Sequence, residues 1–162
     1  MNIPESFHLS AQGDCEILIM RVFNAPRHLV FDAYTKPELV KRWLGVRVGW
    51  TLAVCEIDLK VGGSYRYVWR KAAKGIEMGV GGIYKEIIPQ ERIVCTERFD
   101  DLWYDGEALI TTIFLQQGER TTLSINIRYE SQETRDAVLK TPMESGVAES
   151  YNNLAELLAT LQ

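Results

Sequence analysis

Histidine and cysteine are scarce in this chain: His8 and His28, with Cys15, Cys55 and Cys95, are all it has among 162 residues. A transition-metal site needs clustered imidazole or thiolate ligands, and these five are scattered, so no metal and no cofactor is expected. A Cys–His nucleophilic pair would need one of three buried-looking thiols to meet one of two histidines, and nothing in the pattern brings them together. An odd number of cysteines with no close pair argues against a disulfide framework and for a reducing compartment. Each reads instead as a small buried hydrophobe among strand-like neighbours. Long apolar runs are also missing. No stretch approaches the roughly 20 residues of a membrane span, and residues 1–16, with Glu5 and Asp14, offer no signal-peptide core. A cytoplasmic location is therefore expected. Basic excess is absent too: 18 Lys and Arg against 22 Asp and Glu give a net charge of −4, which excludes general attraction to nucleic acid. Finally, Gly79-Val80-Gly81-Gly82 lacks the lysine and following helix of a phosphate loop.

What is present is an ordinary globular composition, 46% hydrophobic and 25% charged. A chain of this length can bury roughly 70% of its unfolded surface. No linker or compositional shift divides it, so one domain over residues 1–162 is expected.

From residue 55 to 129, short runs of Val, Ile, Thr, Tyr, Phe and Trp are punctuated by Gly, Pro, Asp or Glu, the pattern of an antiparallel sheet. Residues 15–23 read as a first strand behind a loose amino-terminal arm. Two short helices follow, the first after Pro26. The second is opened by a capping box at Thr35-Lys36-Pro37-Glu38 and stopped at Gly45. Strands are predicted over 55–59, 64–70, 78–88, 92–99, 108–116 and 121–129. Gly79, Gly81 and Gly82 inside one of them suggest a bulge or sharp bend. In the last strand Leu123, Ile125, Ile127 and Tyr129 alternate inward. Residues 132–140 form a short helical lead-in. A second capping box, Thr141-Pro142-Met143-Glu144, opens a long helix ending near Thr160. Its stripe is Met143, Val147, Tyr151, Leu154, Leu158 and Leu161, widened by Leu157 and interrupted by Gly146 and Ser150, which let a strand approach or leave room. A strongly curved sheet gripping one helix satisfies this order. The fold class is thus α+β, a helix-grip with a hollow between sheet and helix.

The aromatic residues gather on the elements that would surround that hollow. Trp43, Tyr65, Tyr67, Trp69 and Tyr84 form one set; Phe99, Trp103, Phe114 and Tyr151 complete it. Tyr and Trp combine apolar area with a polar handle, which suits a wall that packs and orients a ligand; the same residues also suit a plain core. Glu97 is the sharper oddity, sharing a face with Ile93, Cys95 and Phe99, where an unpaired carboxylate is costly. Three readings are open: an ion pair with an arginine, an outward turn after a bulge, or a polar anchor or acid–base group of a pocket. Glu86 and Arg92, flanking Pro89, read as an ordinary pair across a hairpin.

Several segments resemble the activator-of-heat-shock-ATPase homologue family, a branch of the START-like (SRPBCC) superfamily. They are Ala25-Pro26 with Val30-Phe31-Asp32-Ala33, Thr35-Lys36-Pro37-Glu38-Leu39 ending in Arg42-Trp43, and Asp58-Leu59-Lys60-Val61-Gly62-Gly63. Tyr65-Arg66-Tyr67, Gly82-Ile83-Tyr84-Lys85-Glu86-Ile87-Ile88-Pro89 with Glu91-Arg92-Ile93-Val94, Met143-Glu144-Ser145-Gly146 and the Leu154-Ala155-Glu156-Leu157-Leu158 tail complete the set. One departure bears on the pocket mouth: Trp43-Leu44-Gly45-Val46 stands where the family often has a tryptophan pair followed by Gly-Pro. The resemblance implies the same helix-grip fold, and a superfamily of lipid carriers, hormone receptors, aromatase/cyclases and co-chaperones.

Three functions follow as expectations. The first is binding of a small hydrophobic or aromatic molecule by the ten residues named, without a catalytic set. The second is a cyclase/aromatase- or dehydratase-type enzyme using Glu97 with Tyr84 or Tyr65. The third is a co-chaperone-like regulator of a heat-shock ATPase, although the chain has no room for the separate amino-terminal domain of characterised co-chaperones. An exposed apolar patch beside the mouth would favour it. A homodimer is left open.

Overall fold

The computed structural model describes residues 6–101, 104 and 106–162. Eight strands form one curved antiparallel sheet: β1 His8–Gln12, β2 Glu16–Phe23, β3 Thr51–Ile57, β4 Ser64–Lys71, β5 Ile76–Ile88, β6 Arg92–Phe99, β7 Ala108–Gln117 and β8 Arg120–Arg128. Their order across the sheet is β1-β2-β8-β7-β6-β5-β4-β3. The helices are α1 Arg27–Thr35, α2 Pro37–Trp43, α3 Gln132–Leu139 and α4 Met143–Thr160. This is the helix-grip arrangement that the order of elements predicts.

The amino-terminal arm is not loose. Residues 8–12 pair with β2, His8 opposite Met20 and Gln12 opposite Glu16. This edge strand is mostly exposed, so it lacks the apolar alternation by which a strand announces itself. His8 and His28 are both solvent-exposed, and no described group of three or more His, Cys, Asp or Glu is placed to hold a metal. The hairpin joining β7 to β8 turns at Gly118, whose φ of 65° is the left-handed conformation glycine adopts without cost.

Both capping boxes are corrected. The Thr35 hydroxyl donates to Phe31 O (2.8 Å) and Thr141 donates to Val138 O (2.6 Å). Neither α2 nor α4 has a side-chain cap. Thr35 is itself the last residue of α1 and Thr141 lies two residues past α3, so carbonyls of the preceding helix end take each hydroxyl proton. The cap that does form is Ser131, which accepts from the Thr134 amide at the start of α3. The bulge in β5 lies at Lys85, between the pairs Tyr84–Cys95 and Glu86–Val94, rather than at the glycines. Those glycines serve close approach: a Cβ on Gly82 would collide with the backbone carbonyl of Thr96.

The core is densest where the helices cover β2, β8 and β7. Ile17, Ile19 and Phe23 join Leu123, Phe114, Leu154 and Leu158, all at 0–2% exposure. Burying such side chains contributes about 1.5–3 kcal/mol each. No strand approaches Gly146, whose nearest neighbour would be the Arg47 guanidinium at 4.0 Å. Among the described residues no helix is long and apolar enough to cross a membrane.

Candidate functional site

The sheet register lays one continuous inner face. Across β4 and β5, Tyr65 opposes Gly82, Tyr67 opposes Val80 and Trp69 opposes Met78. Across β5 and β6, Val80 opposes Phe99 and Tyr84 opposes Cys95. Glu97 then opposes Ala108 on β7. Because side chains alternate along a strand, Tyr65, Tyr67, Trp69, Tyr84, Cys95, Glu97 and Phe99 all look inward. Trp103 lies outside the described residues.

The ten candidates divide into two groups. Trp43, Phe114 and Tyr151 sit in the packed half beneath the helices, at 2%, 1% and 6% exposure. Trp43 donates its indole N–H to Ala33 O (2.8 Å), which ties α2 to α1. The Tyr151 hydroxyl meets that of Tyr34 at 2.8 Å, and Phe114 packs edge-on to Tyr34. Tyr65 and Tyr84 are buried but belong to the other half, with ring centroids 5.5 Å apart. The Tyr65 hydroxyl donates to Thr96 O (2.6 Å).

Tyr67, Trp69, Glu97 and Phe99 keep partial solvent access. Trp69 stacks edge-on to Tyr67 at 6.0 Å and donates its indole N–H to Leu44 O (2.9 Å). Asn153 on α4 donates to Val46 O (3.0 Å), so residues 44–46 are held both to the sheet and to the long helix. Val46 and Val48 in that loop are 55% and 96% exposed. Two open surface depressions flank it, of about 210 and 380 Å³. Neither is lined by a candidate residue.

Glu97 does not leave the inner face through a bulge, since β6 pairs with β7 in unbroken register from Arg92 to Glu97. Nor does an arginine pair with it. Arg66 makes a two-pronged bridge to Asp100, Arg92 pairs with Glu86 at 2.7 Å as the hairpin geometry predicts, and Arg98 is exposed. Burial pushes the Glu97 carboxyl up from its ordinary 4.5 to about 7. Burial likewise raises Tyr65 and Tyr67, with the charge of Glu97 adding to each. The Cys95 thiol is pushed up to about 12 by burial, opposed by the neighbouring Tyr65 hydroxyl.

Two tyrosines that the aromatic set omits belong beside Glu97. Tyr104 is pushed up to about 12 by burial and then by Glu97, and Tyr129 is raised by the same two causes in the same order. Tyr129 was visible as the last inward residue of its strand run; Tyr104 sits in the connection between β6 and β7, where no periodicity marks it. Arg21 is a third omission. It alternates with Ile17 and Ile19 on the buried face of β2, 7% exposed, and lies 5.1 Å from the Phe23 ring centre. It donates to Asn152 of α4 at 3.0 Å, while its Nε is buried without a partner.

The sequence profile of the family described as "Activator of Hsp90 ATPase homolog 1-like protein" matches residues 24–159. The chain belongs to that family. Solved structures agree with the assignment. A Rhodobacter sphaeroides protein is similar at 28% identity and a TM-score of 0.89, over 96% of this chain and 99% of that one. Protein CV1439 from Chromobacterium violaceum is 31% identical with a TM-score of 0.73, over 88% and 96% of the two chains. Ms6760 from Mycobacterium smegmatis has 17% identity and a TM-score of 0.83, over 96% and 98%, a likeness of fold alone. No curated protein matches the sequence.

Proposed function

We propose that this family member binds a small hydrophobic or aromatic molecule in a hollow between the β3–β6 half of the sheet and α4. One observation carries the reading. Tyr67, Trp69, Glu97 and Phe99 share the inner face and stay partly open to solvent, while Ile17, Ile19, Phe23, Phe114 and Leu123 in the opposite half are packed to 0–2% exposure. Burial nevertheless dominates the proton affinities of Tyr67 and Glu97. Deep groups with solvent access border space, and space walled by aromatics with one polar group is what an apolar ligand requires.

Trp69→Ala tests this. The substitution removes a half-buried wall residue and one hydrogen bond, to Leu44 O. Uptake of an environment-sensitive hydrophobic dye should weaken at least several-fold while the cooperative unfolding transition persists. Unfolding without a change in dye uptake would mean that Trp69 is core and the wall is misassigned.

Two specific observations favour other readings. A carboxyl titrating near neutrality is suited to general acid–base work, which favours a cyclase- or dehydratase-type enzyme using Glu97 beside Tyr65. The exposed Val46 and Val48, next to the Trp69–Leu44 contact, favour a protein partner, and the family's description names an activator of the Hsp90 ATPase. Stimulation of a heat-shock ATPase by the wild-type chain, lost in a Val46→Ser/Val48→Ser variant, would select that last reading over a ligand carrier.

A further inference from the structure

Glu97 keeps partial solvent access on the inner face of the sheet. Its cross-strand neighbour on β7 is Ala108, so only a methyl group stands directly opposite it on that strand. Among the described residues no hydrogen bond or ion pair reaches it, and the arginines that could turn toward it are bound elsewhere. The described groups whose proton affinity the Glu97 charge raises are acids: Tyr65 and Tyr67 on β4, Cys95 on β6, Tyr104 in the β6–β7 connection and Tyr129 after β8. None of α1 to α4 contributes a titratable group to this set. Among the described residues no base therefore neutralises Glu97, and an unneutralised buried carboxylate costs several kcal/mol.

We propose that the site takes a hydrophobic amine, a monocation whose apolar body lies along Tyr67, Trp69 and Phe99 and whose ammonium group pairs with Glu97. The inference rests on the hollow proposed above and names its ligand class. An ammonium–carboxylate contact is a charge-assisted hydrogen bond, and tyrosine rings around it add cation–π attraction, about 0.5–2 kcal/mol each. An anionic ligand meets repulsion from Glu97 and no base to receive it. A neutral ligand gains the apolar contacts alone.

The test uses three probes of one shape with the purified full chain: 2-naphthylmethylamine, 2-naphthalenemethanol and 2-naphthoate, titrated calorimetrically at pH 8. The amine should bind at least tenfold tighter than the alcohol, and the carboxylate weakest. Glu97→Gln should erase the preference for the amine and leave the alcohol within about twofold. In the wild type, amine affinity should fall about tenfold from pH 8 to pH 6 as Glu97 takes a proton, while alcohol affinity stays flat. Alcohol binding equal to or tighter than amine binding overturns the amine assignment and leaves the hollow standing. A Glu97→Gln protein that keeps the tenfold preference also overturns it. Failure of all three probes to bind overturns both the assignment and the hollow beneath it. If Glu97→Gln does not fold, the wild-type ratio and its pH dependence decide alone.

Discussion

Replacing Glu97 by glutamine removes an ionisable group while keeping its shape, and the structure fixes both the sign and the size of the consequence. Burial raises the carboxyl from 4.5 to about 7 in the folded chain, and no described residue pairs with the charged form. Because the folded state holds this proton more tightly than the unfolded state, protonation stabilises the fold. That stability is present in full below about pH 4.5 and is lost as pH rises through about 7. At about 1.4 kcal/mol per pH unit, the interval corresponds to roughly 3 kcal/mol. Wild-type and Glu97→Gln proteins should therefore be nearly equal in stability at pH 4.5. By pH 8.5 the variant should be the more stable by about 3 kcal/mol. Urea unfolding followed by tryptophan fluorescence across that range measures it. Every other titrating group is common to both proteins and cancels in the difference. Parallel curves with no pH-dependent gap would mean that Glu97 is well solvated. A variant less stable than wild type at pH 8.5 would mean that the carboxylate is paired, and either result would refute the reasoning.

Other residues give equally direct tests. Gly82→Ala drives a Cβ into the Thr96 carbonyl, a backbone atom that cannot rotate away. It should cost roughly 1–3 kcal/mol or more in urea unfolding, and an unchanged midpoint would show that β5 and β6 can separate freely. Tyr151→Phe leaves the Tyr34 hydroxyl without its 2.8 Å partner and should cost about 1 kcal/mol. Because Tyr151 lies in the packed half, the same variant should leave hydrophobic-dye uptake unchanged, and a large loss of uptake would move the hollow under α4's midpoint.

The fold was legible wherever one face of an element is buried and the other is wet. Leu123, Ile125, Ile127 and Tyr129 alternate because β8 has helices on one side and solvent on the other. The α4 stripe repeats for the same reason, and buried Tyr151, Leu154, Leu157 and Leu158 fulfil it. Strand β1 escaped because an exposed edge carries no such contrast. The threonine caps misled because a four-residue pattern does not show that another helix ends at Thr35 itself or two residues before Thr141. Alternation also placed Glu97 correctly on the inner face. It could not reveal that Arg66 spends its guanidinium on Asp100, a contact that crosses from β4 past β5 to the residue after β6. Nor does alternation say which part of an inner face the helices cover. Trp43, Phe114 and Tyr151 share the chemistry of Tyr67 and Trp69, yet α1, α2 and α4 close over the first three.

Occupancy of the hollow is the central claim, and native mass spectrometry of the protein purified from its own host reads it most directly. The account predicts a bound small molecule at near one-to-one stoichiometry, released on denaturation and carrying an apolar body with a basic nitrogen. A bare chain mass, together with no uptake of naphthyl probes added in excess, would contradict it.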